Sequence, residues 1–383
     1  MSRYRKNYLL TPGPTMIPPS VHEARAKGVP HHRTPQFMQL IKSVHEELKY
    51  LFTTKNEVYS MTASGTGAME AAVCSLLAPG DLAICIDGGK FGERWVELCK
   101  HFGAEAIVVH VERGDAPNPA QLEDALKKYP QAKAVFTHLT ETSTGATFDV
   151  KAMGAIVAKT DAVFVVDSIS GLISEEFRMD EWHVDIAVGA SHKGVMLPPG
   201  LGFLAVSEKA WKKIDATRNS SYYFDLKRYR KGHNNGEHPF TPAVDLYTQL
   251  CESMKMIHEE TMEGLWKRHA WLGNATRKAM LSLGLELFAK HPCNVLTAVK
   301  APDGIDGGKL VKTMRDDLGV SIAGGQSEMK GKIFRIAHLG YVDRFDMITA
   351  IAGLEMALKR MGYPVELGTG VKVAQDLLID DPA

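Results

Sequence analysis

Short apolar runs recur along this chain, each followed by an amphipathic stretch long enough for a helix, and that alternation constrains the fold more than any other feature. Glu57–Met61, Leu82–Ile86, Ala106–His110, Ala134–Thr137 and Ala162–Val166 read as strands. Between them Ala68–Leu77, Trp95–Phe102, Pro119–Lys128 and Val150–Lys159 read as helices. Strands alternating with helices at this spacing predict βαβ units and a mostly parallel sheet. Gly200–Val206 adds a strand, read as antiparallel. A long helical pattern over Leu265–Leu283 leads to a smaller unit with strands at Val295–Lys300 and Ile333–His338, closed by a helix over Phe345–Met361. The expected fold is α/β: a large, mostly parallel sheet domain at 16–265, a smaller C-terminal α/β domain at 266–383, and an N-terminal segment at 1–15. The polar stretch Arg218–Gly236 reads as a long loop.

Lys plus Arg and Asp plus Glu stand at 45 each, so the formal net charge is zero. This removes the electrostatic case for nucleic acid or an anionic membrane as partner. No apolar stretch approaches the ~20 residues that span a bilayer. Met1–Lys6 is basic, but Thr11-Pro12-Gly13-Pro14 follows without an apolar signal core, and Asp380–Ala383 carries no peroxisomal address. Cys74, Cys85, Cys99, Cys251 and Cys293 are odd in number and lack metal-ligand spacing, so we expect reduced thiols, no metal site and a cytoplasmic location.

Chemistry enters at two places. Asp167 ends the apolar run Val163–Val166, and Lys193 sits on the small-residue turn Gly189-Ala190-Ser191-His192-Lys193-Gly194. A strand-end carboxylate with a lysine on a turn suits pyridoxal phosphate, which needs an amine for its aldehyde and an acid for its pyridine nitrogen. Thr62–Glu70 follows a strand and opens a helix, so Ser64, Gly65, Thr66 and Gly67 present N–H and hydroxyl donors where a helix dipole favours an anion. The stretch lacks the lysine of a P-loop and the third glycine of a dinucleotide fingerprint. Phe91, an aromatic between glycines in Gly88-Gly89-Lys90-Phe91-Gly92 after another strand, is able to lie flat on a cofactor ring, and Thr142 in Glu141–Gly145 sits at the end of yet another strand. All of these lie at the carboxyl edge of the predicted sheet, where open α/β sheets bind ligands.

Leu10–Thr15, Ser64–Gly67, Glu141–Gly145, Asp167-Ser168, Ser191–Lys193 and Phe334–His338 occur in an order that resembles the class V aminotransferases of the alanine/serine–glyoxylate (serine–pyruvate) group, over nearly the whole chain. The resemblance implies the fold type I architecture and pyridoxal 5'-phosphate as cofactor. It implies Lys193 as the residue that holds the cofactor aldehyde and shuttles a proton, with Asp167 on the ring nitrogen and Phe91 on the ring face where many relatives have Trp. It further implies Ser64, Gly65, Thr66, Gly67 and His192 around the phosphate, with Thr142 and Ile169 along the ring. Thr241 looks like the residue that reaches the phosphate of a neighbouring subunit's cofactor, so a homodimer with shared sites is expected. Arg335 looks like the fork for the substrate carboxylate, and Gly13 like part of the substrate-proximal segment. His192 stands where relatives commonly have Gln, His238 where some have Tyr, and Ala337 where Gly is common.

The resemblance implies transamination from a small amino acid, serine or alanine, to a 2-oxo acid, glyoxylate or pyruvate, with ping-pong kinetics. Two alternatives stand beside this reading. Arg33, Arg228 or Arg230 would favour a 2-aminoethylphosphonate donor if they lined the site. A lyase of the desulfurase kind needs a mobile-loop thiol, and Val320–Glu328 contains no Cys.

Overall fold

The computed structural model describes residues 6–28, 30–218 and 220–382. Residues 1–5 of the N-terminal segment lie outside the described residues. From edge to edge the large sheet runs Glu57–Ala63, Gly200–Val206, Ile186–Ala190, Val163–Asp167, Ala134–His138, Leu82–Asp87, Glu105–His110. Gly200–Val206 is antiparallel to both of its neighbours, and the remaining pairs are parallel. The sheet therefore gathers Ala63, Asp87, His138, Asp167 and Ala190 at one carboxyl edge.

The strands read as apolar runs because both faces are covered. Successive residues point to opposite faces, and each strand feeds two cores. Val58, Ile84, Val135, Phe164 and Val166 enter one, while Tyr59, Cys85, Phe136, Val163 and Val165 enter the other. The helix Pro35–Phe52 packs on the first face and Gly65–Leu76 on the second. The helix Pro119–Lys128 starts where Asn118 forms a capping box with Gln121, with proline at its first position.

A second sheet, Leu296–Lys300 with Ile333–Ala337 and Ala323–Gly324, is antiparallel and owns a third core around Leu272, Leu310, Phe334 and Leu354. The helix Met262–Ser282 spans the expected break at 265/266. Its Leu265 packs with the large sheet's first core and its Leu272 with the small sheet's core. The N-terminal segment belongs physically to the small sheet's side. Tyr8 and Leu9 pair in parallel with Val320 and Ser321, and Leu10 O accepts from Ala337 N–H at 3.0 Å.

One expectation fails. Arg218–Gly236 is not a loop throughout, because Leu226–Asn234 is an α-helix. Asp225 caps it by accepting from Lys227 N–H, and Leu226, Tyr229 and Gly232 bury one narrow face. Lys227, Arg228, Arg230 and Lys231 cover the rest, and so the segment reads as polar and irregular. Among the described residues no helix is long and apolar enough to cross a membrane.

Candidate active site

The strand Ile186–Ala190 delivers the chain to the carboxyl edge, and a tight turn then reverses it. Ser191 holds that turn, its Oγ donating to Pro198 O at 2.7 Å and accepting from Leu201 N–H at 3.2 Å. Lys193 O accepts from Thr15 Oγ1 at 3.0 Å. The lysine side chain is buried, and its Nζ donates to Pro12 O. Gly13 covers the amine so closely that a Cβ there would lie 2.6 Å from Nζ, and its φ of +109° is a conformation that glycine adopts readily. Burial lowers the Lys193 amine to about 8. Arg335 and Arg94 push the same way, and Asp167 opposes them.

Asp167 ends the neighbouring strand, opposite Val188 on one side and His138 on the other. Its Oδ1 accepts from Ile169 N–H at 2.8 Å. Burial dominates and pushes the carboxyl up to about 7, against that hydrogen bond and against Arg94 and Lys193; Glu141 adds to the rise. The first turn of Gly65–Leu76 meets the same edge. Ser64 occupies its cap position without a side-chain capping bond, so its hydroxyl is left for another partner. A Cβ on Gly65 would come within 2.6 Å of Ile169 Cδ1, and one on Gly67 within 2.7 Å of Ala63 Cβ. Glycine is thus what lets this backbone approach the loop after Asp167.

Phe91 lies in the first turn of Lys90–His101, a helix that begins earlier than its apolar pattern indicated. The Arg94 guanidinium sits 4.8 Å from the centre of the Phe91 ring and donates to Thr66 Oγ1 at 3.1 Å. Sequence reasoning passed over Arg94. Its signal was the three-residue spacing from Phe91, which puts both on one helix face.

Arg335 lies mid-strand in the small sheet and reaches the large one. Its Nη1 donates to Thr142 O at 2.6 Å, while Nε and Nη2 donate to Gly324 O at 3.1 and 2.6 Å. Three of the five guanidinium N–H groups are so used. One remains on each terminal nitrogen, a spacing that matches the two oxygens of a carboxylate. Thr142 Oγ1 donates to Ser170 Oγ at 2.8 Å. Burial lowers Arg335 to about 10, with Glu141 opposing, so it stays cationic near neutrality.

The remaining positions are less uniform. His192 Nδ1 is buried without a hydrogen-bond partner among the described residues, and burial plus Lys193 lowers the ring to about 4. Thr241 is exposed, although its loop is tied to the site by Ala243 N–H donating to Thr62 Oγ1 at 3.0 Å. His238 joins that loop to the edge strand, Nε2 lying 2.9 Å from Ser60 O and Nδ1 3.0 Å from Phe240 O. Arg230 is paired with Asp215 and lies 3.9 Å over the Trp211 ring, and Arg228 lies 4.1 Å over Tyr222. Arg33 and Arg228 line a surface pocket with Tyr222 and His238, and Lys193 is not part of it. Cys293 is buried, its thiol donates to Leu296 O at 3.6 Å, and burial pushes it up to about 12, so it holds no thiolate near neutrality.

The family described as aminotransferase class-V matches residues 7–339. An uncharacterised aminotransferase of Methanocaldococcus jannaschii is 38% identical over 98% of both chains. A serine–glyoxylate aminotransferase of Methylorubrum extorquens is 36% identical over 98% of this chain and 97% of its own. Among solved structures, the ureidoglycine–glyoxylate aminotransferase of Bacillus subtilis superposes with a TM-score of 0.94 at 28% identity, over 99% of this chain and all of that one.

Proposed function

The chain belongs to the class V aminotransferase family and has the fold type I architecture, and we propose that it moves the amino group of serine or alanine to glyoxylate or pyruvate with pyridoxal 5'-phosphate as cofactor. The observation that carries the reading is a buried lysine of lowered basicity beside a buried carboxylate at one sheet edge, with an arginine fork facing the same space. Glyoxylate is the acceptor we favour, because it is named for relatives whose donors differ.

The residues fit the cofactor on their own chemistry. The unpartnered Nδ1 of His192, the uncapped Ser64 and the glycine-lined helix start suit a phosphate group. Among the described residues Asp167 accepts from Ile169 N–H and from no cationic side chain, and a protonated ring nitrogen would supply that partner. When bound, pyridoxal phosphate supplies an aldehyde that captures amines and a ring that accepts the electrons released at Cα.

Lys193 Nζ would hold the cofactor, and its amine would serve as the base that carries the proton leaving the substrate Cα. An amine lowered to about 8 is partly unprotonated near neutrality and suits that task. Burial raises Asp167 to about 7, and a cationic ring nitrogen facing it would favour its carboxylate form. Arg335 would use its two remaining N–H groups to fix and orient the substrate carboxylate. Pro12 and Gly13 close over Lys193 and exclude water from the amine. Two half-reactions in one site give ping-pong kinetics.

We place the large cofactor-binding domain at 16–265 and the small one at 266–383, supported by their separate apolar cores. A homodimer with shared sites is the assembly we propose, and the exposed Thr241, on a loop tied to Thr62 through Ala243 N–H, supports it. The scattered cysteines, odd in number and without metal-ligand spacing, support a cytoplasmic location.

The test is an absorbance scan of the holoenzyme with L-serine, L-alanine and 2-aminoethylphosphonate added separately. Bleaching of the cofactor's visible band with keto-acid release is expected for serine or alanine. A response to the aminophosphonate alone would overturn the donor class.

A further inference from the structure

Glu141 is fully buried, and His138 Nε2 lies 3.4 Å from its Oε2; that ring is itself fully buried, which lowers it from its ordinary value. Among the described residues no lysine or arginine lies within ion-pair distance of it. Its carboxylate instead accepts four hydrogen bonds. Oε2 takes Phe91 N–H and Gly92 N–H, each at 3.1 Å, and Oε1 takes Ser143 N–H at 2.9 Å and Ser143 Oγ at 2.5 Å. Ser143 Oγ in turn accepts from Lys90 N–H at 3.0 Å. The start of the helix Lys90–His101 is therefore held by a side chain from a different strand end. Gly89 makes room for it, since a Cβ there would lie 2.3 Å from Glu141 Cδ.

The peptide that follows faces the other way. Thr142 O is the acceptor for Arg335 Nη1 at 2.6 Å. A displacement of Glu141 is thereby felt at two places: the backbone that carries the Phe91 ring, and the carbonyl that aims the Arg335 fork. A buried carboxylate that accepts four hydrogen bonds resists such displacement, because each donor lost removes half of the pairing of one oxygen in a low-dielectric site.

We propose that Glu141 is a positioning residue that sets how deeply Phe91 sits against the cofactor ring and how Arg335 is aimed. This rests on the cofactor reading above and deepens it. A residue that merely capped the helix would stabilise the fold without acting through Phe91.

The test separates these by a double-mutant cycle on the apoprotein, reading the dissociation constant of pyridoxal phosphate from quenching of the intrinsic tryptophan fluorescence. Glu141→Gln and Phe91→Ala should each weaken binding by about 10-fold, a loss of the size expected for one misplaced ring contact. The double variant should bind within about twofold of Phe91→Ala alone. Losses that multiply towards about 100-fold, or a Glu141→Gln protein that binds like the unaltered chain, would overturn the proposal. If Glu141→Gln fails to fold, Ser143→Ala removes one donor to the same carboxylate, and its cycle with Phe91→Ala must show the same lack of additivity. An unaltered apoprotein that binds no pyridoxal phosphate would refute the cofactor reading itself, a different failure from additivity in the cycle.

Discussion

Asp167 gives the sharpest quantitative test, because its protonation is bound up with the cost of keeping a carboxylate in this site. Burial raises it from 3.8 to about 7 in the folded chain. An acid whose folded pKa is raised binds its proton more tightly folded than unfolded. Stability is then fully present below 3.8 and is lost as pH rises through about 7. At about 1.4 kcal/mol per tenfold change in proton activity, the full loss is on the order of 4 kcal/mol. Asp167→Asn keeps an oxygen for Ile169 N–H and removes only the ionisation. Urea denaturation of the two apoproteins should give similar midpoints near pH 4. By pH 8 the variant should be the more stable by a few kcal/mol, a gain that comes with loss of tight cofactor binding, as expected where function strains a site. A stability difference that does not change with pH, or a variant less stable at pH 8, would refute the reasoning.

Three further outcomes follow. Arg335→Lys keeps the charge but loses the fork; carboxylate substrates should show KM raised by roughly 10²-fold while pyridoxal phosphate still binds, as steady-state kinetics beside a cofactor titration will report. Glu175, which accepts from Asn294 N and from Asn294 Nδ2 at 3.0 Å, is pushed up to about 7 by burial; its contribution is likewise lost between 4.5 and about 7 as pH rises. Melting of Glu175→Gln against the unaltered chain should therefore favour the variant progressively from pH 5 to 8, and equal differences at both ends would count against it. If Thr241 serves the partner's site, mixing inactive Lys193→Ala and Thr241→Ala subunits restores one complete site per heterodimer, roughly a quarter of all sites in a statistical mixture. No regain of turnover on mixing would place Thr241 in its own subunit's site.

The elements most legible in the sequence were those whose own side chains carried the pattern. Leu82–Asp87 and Val163–Asp167 are apolar and bounded by polar ends, so their existence and their carboxyl ends could be read directly. Ile186–Ala190 escaped, although it leads to Lys193. Its Ala-Val-Gly-Ala sequence has weak strand preference, and only pairing to Val165–Asp167 on one side and Gly202–Val206 on the other makes it a strand. Leu226–Asn234 escaped for the opposite reason, since its charged residues hide three buried positions.

The site divides along a similar physical line. Lys193, Asp167 and Arg335 carry their chemistry in the side chain, and a residue type announces it. What aims them is mostly backbone: Pro12 O on the lysine, Ile169 N–H on the aspartate, Thr142 O and Gly324 O on the arginine. A carbonyl has no residue type, so no pattern of letters marks it. Pro12 and Gly324 come into play only because the N-terminal segment pairs with Val320–Ser321 and Ala323–Gly324 pairs with Phe334–Arg335, contacts between distant stretches of chain. Glu141 falls between the two cases. Its letter stood in a recognised motif, but its four donors come from a helix start and a turn that only the fold brings to it, and so the residue was visible while its work was not.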